Sequence, residues 1–186
     1  ILPDGIDKSW SFHGSPEQAR DEMAFMDAVR ADMLQRWPVD TKRLLVSGFS
    51  IGGTMAWDLA CYRGGDYTAF APVSGAFWDP LPERCTTPVN LLHTHGTADD
   101  VVPMGGRPIG KHARQGNVMR GLEIWRAVDG CRAAPSRTFE AHGLSCEVWD
   151  GCASGKEIEL CRHPGGHMIP DDWTGFALDW AAALER

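Results

Sequence analysis

The sequence lacks several features that mark large functional classes of protein. No apolar run in its 186 residues approaches the roughly 20 that a membrane-spanning helix needs. Basic residues are too few for a phosphate-binding face, because 18 Lys and Arg stand against 25 Asp and Glu, for a formal charge of −7. No cysteine lies in a CxxC pair, which argues against zinc ribbons and thioredoxin-like redox motifs. We therefore expect neither a membrane nor a nucleic acid as partner.

The six cysteines that are present are even in number and widely spaced, which predicts disulfides and a secreted or periplasmic protein. Fifteen pairings of six cysteines are possible. A β-hairpin predicted over 145–161 places Cys146 opposite Cys161, close enough to bridge. The favoured remaining pairs are Cys61 with Cys85 and Cys131 with Cys152. Buried free thiols in a cytosolic protein are the alternative.

The order of the predicted elements indicates an α/β fold. Helices are predicted over 15–37, 51–63, 119–128 and 171–186, and strands over 43–47, 67–73, 89–94 and 157–163. Ser15 and Gln18 form a capping box for the first helix, and a Gly- and Pro-rich loop is expected over 101–117. Strands separated by helices are typical of a mostly parallel sheet with helices on both faces. We expect one catalytic domain over residues 1–186.

Three predicted strands end close to the residue types of nucleophilic catalysis. Ser50 follows the strand 43–47 within a Gly-x-Ser-x-Gly pattern, and Asp99 and His167 follow later strands. Functional groups collect at the carboxyl ends of parallel strands, and the chain order Ser, Asp, His is that of α/β-hydrolases. The sequence therefore predicts a nucleophile, an acid and a base at these positions. A turn serine is the alternative where the Gly-x-Ser-x-Gly pattern stands alone.

The turn around the predicted nucleophile adds two expectations. Gly48 and Gly52 should let the turn be sharp and let the backbone pack closely. The backbone N–H of Ile51, which follows the nucleophile at a helix N-terminus, should donate to the oxyanion.

Six segments in order carry a resemblance to a known family: ILPDG, PVDTKRLLVSGFSIGG, APVSGAF, LLHTHGTADDVVP, VDGC and PGGHMIP. Together they resemble the secreted α/β-hydrolases that group polyhydroxybutyrate depolymerase-type and feruloyl-esterase-type enzymes. The resemblance implies an α/β-hydrolase fold, no cofactor and cleavage of carboxylic esters. It places the family's nucleophile on Ser50, its acid on Asp99 rather than Asp100, and its base on His167.

The sequence departs from this family in two places. Family members have strands before the segment that resembles ILPDG, including a His-Gly loop that supplies a second oxyanion donor. We expect that an N-terminal segment with these strands has been omitted or cleaved. Ile169 stands where the family has Trp, which predicts a changed substrate pocket.

The leading functional prediction is a serine esterase that acts on feruloyl or acetyl esters of plant polysaccharide. Hydrolysis of poly(3-hydroxybutyrate) or oligohydroxyalkanoates is the second reading. A peptidase of the same fold is a weaker alternative, and a non-catalytic carbohydrate- or partner-binding relative is an alternative of another class. Trp78, Trp173 and His95 are weaker candidates for substrate contact.

Two histidine pairs have spacings found in metal sites, but we predict no metal. His93 and His95 lie two apart on a predicted strand, and the family resemblance treats His95 as a structural or pocket residue. His163 and His167 have the spacing of a helical site, but the residues between them, Pro164, Gly165 and Gly166, exclude a helix.

Overall fold

A computed structural model describes residues 1 to 184 of the chain. Its helices are α1 (Glu22–Arg36), α2 (Ile51–Arg63), α3 (Val118–Asp129) and α4 (Trp173–Ala183). Its strands are β1 (Leu45–Phe49), β2 (Ala69–Val73), β3 (Leu91–Gly96), β4 (Arg107–Ile109), β5 (Ala113–Gln115), β6 (Arg137–Ala141), β7 (Leu144–Trp149) and β8 (Ile158–His163). No helix within this described part combines the length and the apolar character needed to cross a membrane.

Six of the strands form one sheet in the order β1-β2-β3-β8-β7-β6. The first four run parallel, and β7 and β6 complete the sheet in antiparallel fashion. On one face, Trp57 of α2 and Trp125 of α3 belong to the larger core cluster. On the other face, Trp173 and Trp180 of α4 belong to a second cluster. The prediction of a mostly parallel sheet with helices on both faces is therefore confirmed.

Helix α1 begins seven residues later than predicted. Asp21 caps it, because its side chain accepts a hydrogen bond from the Ala24 N–H. The predicted capping box does not form, since Gln18 instead donates to the backbone carbonyls of Phe12 and Ser15. These side-chain contacts hold the backbone ahead of the helix in a non-helical path.

The apolar side chains of α1 are only half-buried. Met26, Val29 and Met33 line a cavity of about 360 Å³ beside β1. Trp37, at the C-terminal cap of α1, is 52% exposed.

Two antiparallel pairs were not predicted. The segment 101–117, expected to be a loop, contains the short pair β4 and β5. A second hairpin joins β6 to β7 through His142 and Gly143, whose φ angles of 52° and 72° lie in the left-handed region. The loop-like composition at 101–117 gave no pattern for β4 and β5, and the tight turn with a non-glycine residue at positive φ gave none for β6. Strand β7 itself lies in the hairpin predicted over 145–161.

Three disulfides join all six cysteines in the pairs that the sequence favoured: Cys61–Cys85, Cys131–Cys152 and Cys146–Cys161. The last pair lies in the predicted register, because Cys146 of β7 stands directly opposite Cys161 of β8. This bond ties the antiparallel part of the sheet to its parallel part.

Helix α4 buries one face, formed by Trp173, Ala177 and Trp180. Leu178 is 56% exposed because it lies on the opposite side of the helix. The prediction extended this helix to 186, but Glu185 and Arg186 lie outside the described residues.

Candidate active site

Ser50 lies at the sharp junction between β1 and α2. Its backbone has φ 58° and ψ −120°, a conformation that a non-glycine residue rarely adopts. Two hydrogen bonds hold it there: its N–H donates to the Val73 carbonyl at 3.0 Å, and its carbonyl accepts from the Thr54 N–H at 2.9 Å. The side chain is therefore presented at the carboxyl end of β1 by a strained but well-supported backbone.

Close packing around this turn requires glycine at Gly48 and Gly53. A Cβ on Gly48 would lie 2.2 Å from the Gly52 carbonyl oxygen, and a Cβ on Gly53 would lie 2.6 Å from the Val73 carbonyl oxygen. The expectation for Gly52 was wrong in this respect, since a Cβ there would meet no atom within 4 Å. Space therefore requires glycine at the first glycine of the motif and at the residue after the motif, but not at its second glycine.

His167 contacts both other members of the predicted triad. Its Nε2 lies 2.8 Å from Ser50 Oγ, and its Nδ1 lies 2.8 Å from Asp99 Oδ2. An ionised carboxylate only accepts hydrogen bonds, so Nδ1 carries the proton and Nε2 is free to accept from the serine hydroxyl. The Phe49 ring packs against the imidazole with the ring centroids 4.7 Å apart. The structure thus brings Ser50, His167 and Asp99 into one hydrogen-bonded path.

Asp99 is held as an ion by a dense set of donors. Its Oδ1 accepts from the backbone N–H groups of Val101 at 3.0 Å and Val102 at 2.8 Å. Burial alone would raise the pKa of Asp99, but the hydrogen bonds from His167 and Val102 outweigh that effect and lower it. The Ser74 hydroxyl, which lacks a partner of full hydrogen-bond geometry, also faces Asp99 and helps to lower this pKa.

The loops that carry Asp99 and His167 are tied directly to each other. Ala98 N–H donates to the Gly165 carbonyl at 3.1 Å, and Thr97 N–H donates to the His163 carbonyl at 2.8 Å. Because β3 and β8 are parallel neighbours, both loops leave the sheet at the same edge. Their mutual hydrogen bonds set the distance between the acid and the base.

Ile51 is the first residue of α2, so its backbone N–H has no acceptor within the helix. That N–H lies next to Ser50 at the positive end of the helix dipole. A role as oxyanion donor stays a prediction.

The three weaker candidates for substrate contact are buried. His95 is 0% exposed, so a direct substrate contact for it was wrong; its Nε2 lies 2.7 Å from the Val102 carbonyl oxygen instead. Trp78 and Trp173 are each 7% exposed, and Trp173 Nε1 donates to Thr94 Oγ1 at 2.9 Å. Both pack chiefly as core residues, and their substrate contact stays a prediction.

Among the described residues, one group of three side chains has the composition and closeness of a metal site: Cys146, Glu159 and Cys161. Its two sulfur atoms are joined in a disulfide, so neither is the thiolate that binds a metal. Burial raises the pKa of Glu159 to about 7. Glu159 Oε1 lies 3.1 Å from Cys161 Sγ, and that disulfide sulfur bears no hydrogen to donate.

Sequence reasoning missed two features next to the triad. Ser74, within the segment APVSGAF, directly follows β2 with φ 48° and is fully buried beside Asp99. His93, predicted only to be no metal ligand, and Trp57 form a buried hydrogen-bonded chain with His95. The only sequence signal for Ser74 was a small residue before glycine at the end of a strand. The hydrogen-bonded chain had no sequence signal.

No protein-family model matches the chain, but individual proteins do. Feruloyl esterase D of Neurospora crassa is 28% identical over 169 residues, which cover 90% of this chain and 52% of that protein. Feruloyl esterase C of Emericella nidulans is 26% identical over 183 residues, which cover 95% of this chain and 63% of that protein. Among solved structures, acetyl xylan esterase from Aspergillus awamori matches with a TM-score of 0.60 at 14% identity, covering 86% of this chain and 66% of that one.

These similarities confirm the predicted resemblance to α/β-hydrolase esterases and the predicted fold class. At 14% identity the structural match supports the fold alone. The chain spans 52% and 63% of the lengths of the two feruloyl esterases.

Proposed function

We propose that this chain is a serine carboxylic-ester hydrolase that acts through an acyl-enzyme. The observation that carries the proposal is the hydrogen-bonded path from Ser50 Oγ through His167 to Asp99. In this proposal Ser50 Oγ attacks the ester carbonyl while His167 Nε2 takes the hydroxyl proton. The same nitrogen then returns the proton to the leaving alcohol, and Ser50 keeps the acyl group.

Deacylation repeats the proton transfers with water as the nucleophile. His167 Nε2 takes a proton from the attacking water and gives it to Ser50 Oγ as the acid leaves. Asp99 keeps the proton on Nδ1 and stabilises the imidazolium that forms in each half-reaction. The Ile51 N–H donates to the developing oxyanion.

The substrate class follows from the relatives. We assign a feruloyl or acetyl ester on plant polysaccharide, since relatives by sequence include feruloyl esterases and a bifunctional acetylxylan esterase/xylanase of Neocallimastix patriciarum. None of these proteins is described as a polyester depolymerase, so hydroxyalkanoate esters are not favoured. Turnover of methyl ferulate and acetylated xylan that exceeds turnover of hydroxybutyrate oligomers is the expected result, and the reverse order would contradict the assignment.

The three disulfides support a secreted or periplasmic location for the protein, because such bonds persist in oxidising compartments. In this proposal residues 1–186 belong to one catalytic domain. Secretion by the source organism, with the cysteines oxidised in the recovered protein, is the expected observation. Recovery of the protein with six free thiols from the cytosol would contradict it.

The experiment that tests the reaction compares Ser50→Ala with Ser47→Ala in the full-length protein. Ser47 lies on β1, three residues before Ser50, and its hydroxyl donates to the Ala71 carbonyl. Ser50→Ala should abolish turnover of a short chromogenic ester and labelling by a fluorophosphonate probe, while Ser47→Ala keeps both. Turnover retained in Ser50→Ala would contradict the mechanism. An unlabelled, folded wild-type protein would favour the non-catalytic binding relative.

A further inference from the structure

A chain of buried hydrogen bonds runs from the core of α2 to the loop that holds Asp99. Trp57 Nε1 lies 3.1 Å from His93 Nδ1, and His93 Nε2 lies 2.9 Å from His95 Nδ1. His95 Nε2 then lies 2.7 Å from the Val102 carbonyl oxygen. All three side chains are 0% exposed, so water does not compete for these bonds.

The first member of the chain determines the protonation of all the others. An indole N–H can only donate, so His93 Nδ1 must be an acceptor and the proton of His93 must lie on Nε2. That proton points at His95 Nδ1, which must also accept. The proton of His95 therefore lies on Nε2, where it is donated to the Val102 carbonyl.

Protonation of either imidazole would set two N–H groups against each other. A proton on His93 Nδ1 would face the Trp57 N–H, and a proton on His95 Nδ1 would face His93 Nε2–H. Burial lowers the pKa of His93, and the neighbouring His95 lowers it further, although the Pro72 carbonyl opposes both. Burial also lowers the pKa of His95, against the opposing effects of Val102 and Asp99. Both rings are therefore neutral.

The last hydrogen bond of this chain reaches the loop that holds Asp99, which we call the acid loop. Val102 is held from both sides, since its carbonyl accepts from His95 and its N–H donates to Asp99 Oδ1 at 2.8 Å. With Oδ1 engaged by the loop backbone, Oδ2 is the oxygen that faces His167. His95 Nε2 lies 3.6 Å from that same Oδ2, so the dipole of its N–H group also stabilises the negative charge of Asp99.

We propose that His95 is a positioning residue for the acid of the triad, and that Trp57 and His93 hold it in the neutral tautomer that can position the loop. The proposal rests on the proposed esterase function and deepens it. His95 does not touch the substrate or the reacting atoms; it acts through Val102 on the orientation of Asp99, and so on His167.

The first test compares His95→Asn with His95→Gln in the full-length protein. A glutamine amide reaches close to the position of Nε2 and can still donate to Val102, whereas the shorter asparagine amide ends near the position of Nδ1. His95→Asn should lower kcat roughly 10- to 100-fold with KM within about twofold, as misplacement of a catalytic group does. His95→Gln should recover most of that loss. A kcat of His95→Asn within about twofold of wild type would overturn the proposal.

A second pair of variants separates the effect of losing the indole N–H from the effect of losing the volume of the indole ring. Trp57→Phe removes the N–H that fixes His93, while Trp125→Phe removes one from an equally buried indole whose Nε1 has no hydrogen-bond partner. Trp57→Phe should lower kcat several-fold more than Trp125→Phe. Equal kcat values in the two variants would overturn the proposal even if His95→Asn fails to fold.

Nuclear magnetic resonance supplies a readout that does not depend on turnover. The ¹⁵N shifts of His93 and His95 in the wild-type protein should report two neutral rings with the proton on Nε2, and a proton on either Nδ1 would overturn the proposal. The downfield ¹H signal of the His167 Nδ1 proton should move in His95→Asn, because the hydrogen bond to Asp99 changes. An unchanged signal would overturn the positioning role. Wild-type protein that lacks esterase activity but shows the expected tautomers and signal would contradict the proposed function alone.

Discussion

Gly96 and Gly166 approach each other so closely that a Cβ on Gly96 would lie 2.3 Å from the Gly166 carbonyl oxygen. This contact joins the end of β3 to the loop that carries His167. Since Asp99 follows three residues after Gly96, the approach of the two backbones sets how close the acid and the base can be. The bond between His167 and Asp99 therefore depends on a residue that takes no part in it.

Gly96→Ala should separate these two loops. We expect a loss of roughly 1–3 kcal/mol in the free energy of unfolding, as overpacking typically causes, together with a drop in kcat. Gly151→Ala is the matched control, because a Cβ on Gly151 meets no atom within 4 Å. Urea unfolding and ester kinetics measure both effects. Wild-type stability and kcat in Gly96→Ala would contradict the role given to this contact.

Asp58 should give the stability of the fold a measurable dependence on pH. Burial raises the pKa of Asp58 to about 7, against the lowering effect of the His13 N–H, and its Oδ1 has no hydrogen-bond partner. Below the unfolded pKa of about 4 both states are protonated, so ionisation costs nothing there. Between about 4 and 7 the unfolded state loses its proton first, so stability falls as pH rises through this window.

Asp58→Asn removes this ionisation and keeps a similar shape. Its free energy of unfolding, relative to wild type, should rise by about 2 kcal/mol between pH 5 and pH 8. The variant must be compared with the wild type at each pH, because other groups also make the free energy of unfolding depend on pH. The lowered pKa values of His93, His95 and His163 make the stability of both proteins rise with pH below about pH 6.5. Exposed Asp179→Asn is the control. A difference for Asp58→Asn that does not change with pH would contradict the prediction.

Ser74 combines backbone strain with a contact to the acid, and two variants separate these effects. Ser74→Ala and Ser74→Gly both remove the hydroxyl that helps to lower the pKa of Asp99, so each should lower kcat by about threefold. Only glycine adopts the φ of 48° without strain, so Ser74→Gly should be about 1 kcal/mol more stable than Ser74→Ala. Thermal unfolding and ester kinetics give the two numbers. Wild-type kcat in both variants would show that the hydroxyl does not assist Asp99.

The Cys146–Cys161 disulfide should contribute to stability rather than to chemistry. Its cysteines are 15 residues apart in the chain and are buried between β7 and β8. Replacing both cysteines with alanine should lower the free energy of unfolding by about 3 kcal/mol, because the unfolded chain regains the freedom that the bond removes. Urea unfolding of both proteins without a reductant measures this effect, because a reductant would also open the other two disulfides. Equal stability of oxidised wild type and the variant would contradict this account.

Several features of the site were open to prediction from the sequence because local patterns determine them. Gly48 and Ser50 mark a strand that turns sharply into a helix, and the later positions of Asp99 and His167 follow from the ends of two more strands. Cys146 and Cys161 fall opposite each other by counting along a hairpin. The prediction for the start of α1 was wrong, because side-chain hydrogen bonds from Gln18 to the nearby carbonyls of Phe12 and Ser15 compete with the helix.

The sequence by itself therefore determined the residue types of the triad, their order along the chain, the class of fold and the favoured cysteine pairs. Only the tertiary structure decided that His95 is buried beneath the acid loop instead of facing a substrate, and that Trp57 determines its tautomer. Trp57 and His93 are 36 residues apart in the chain. Such contacts depend on how a helix packs on a sheet, and no periodicity along the chain encodes which donor meets which acceptor there.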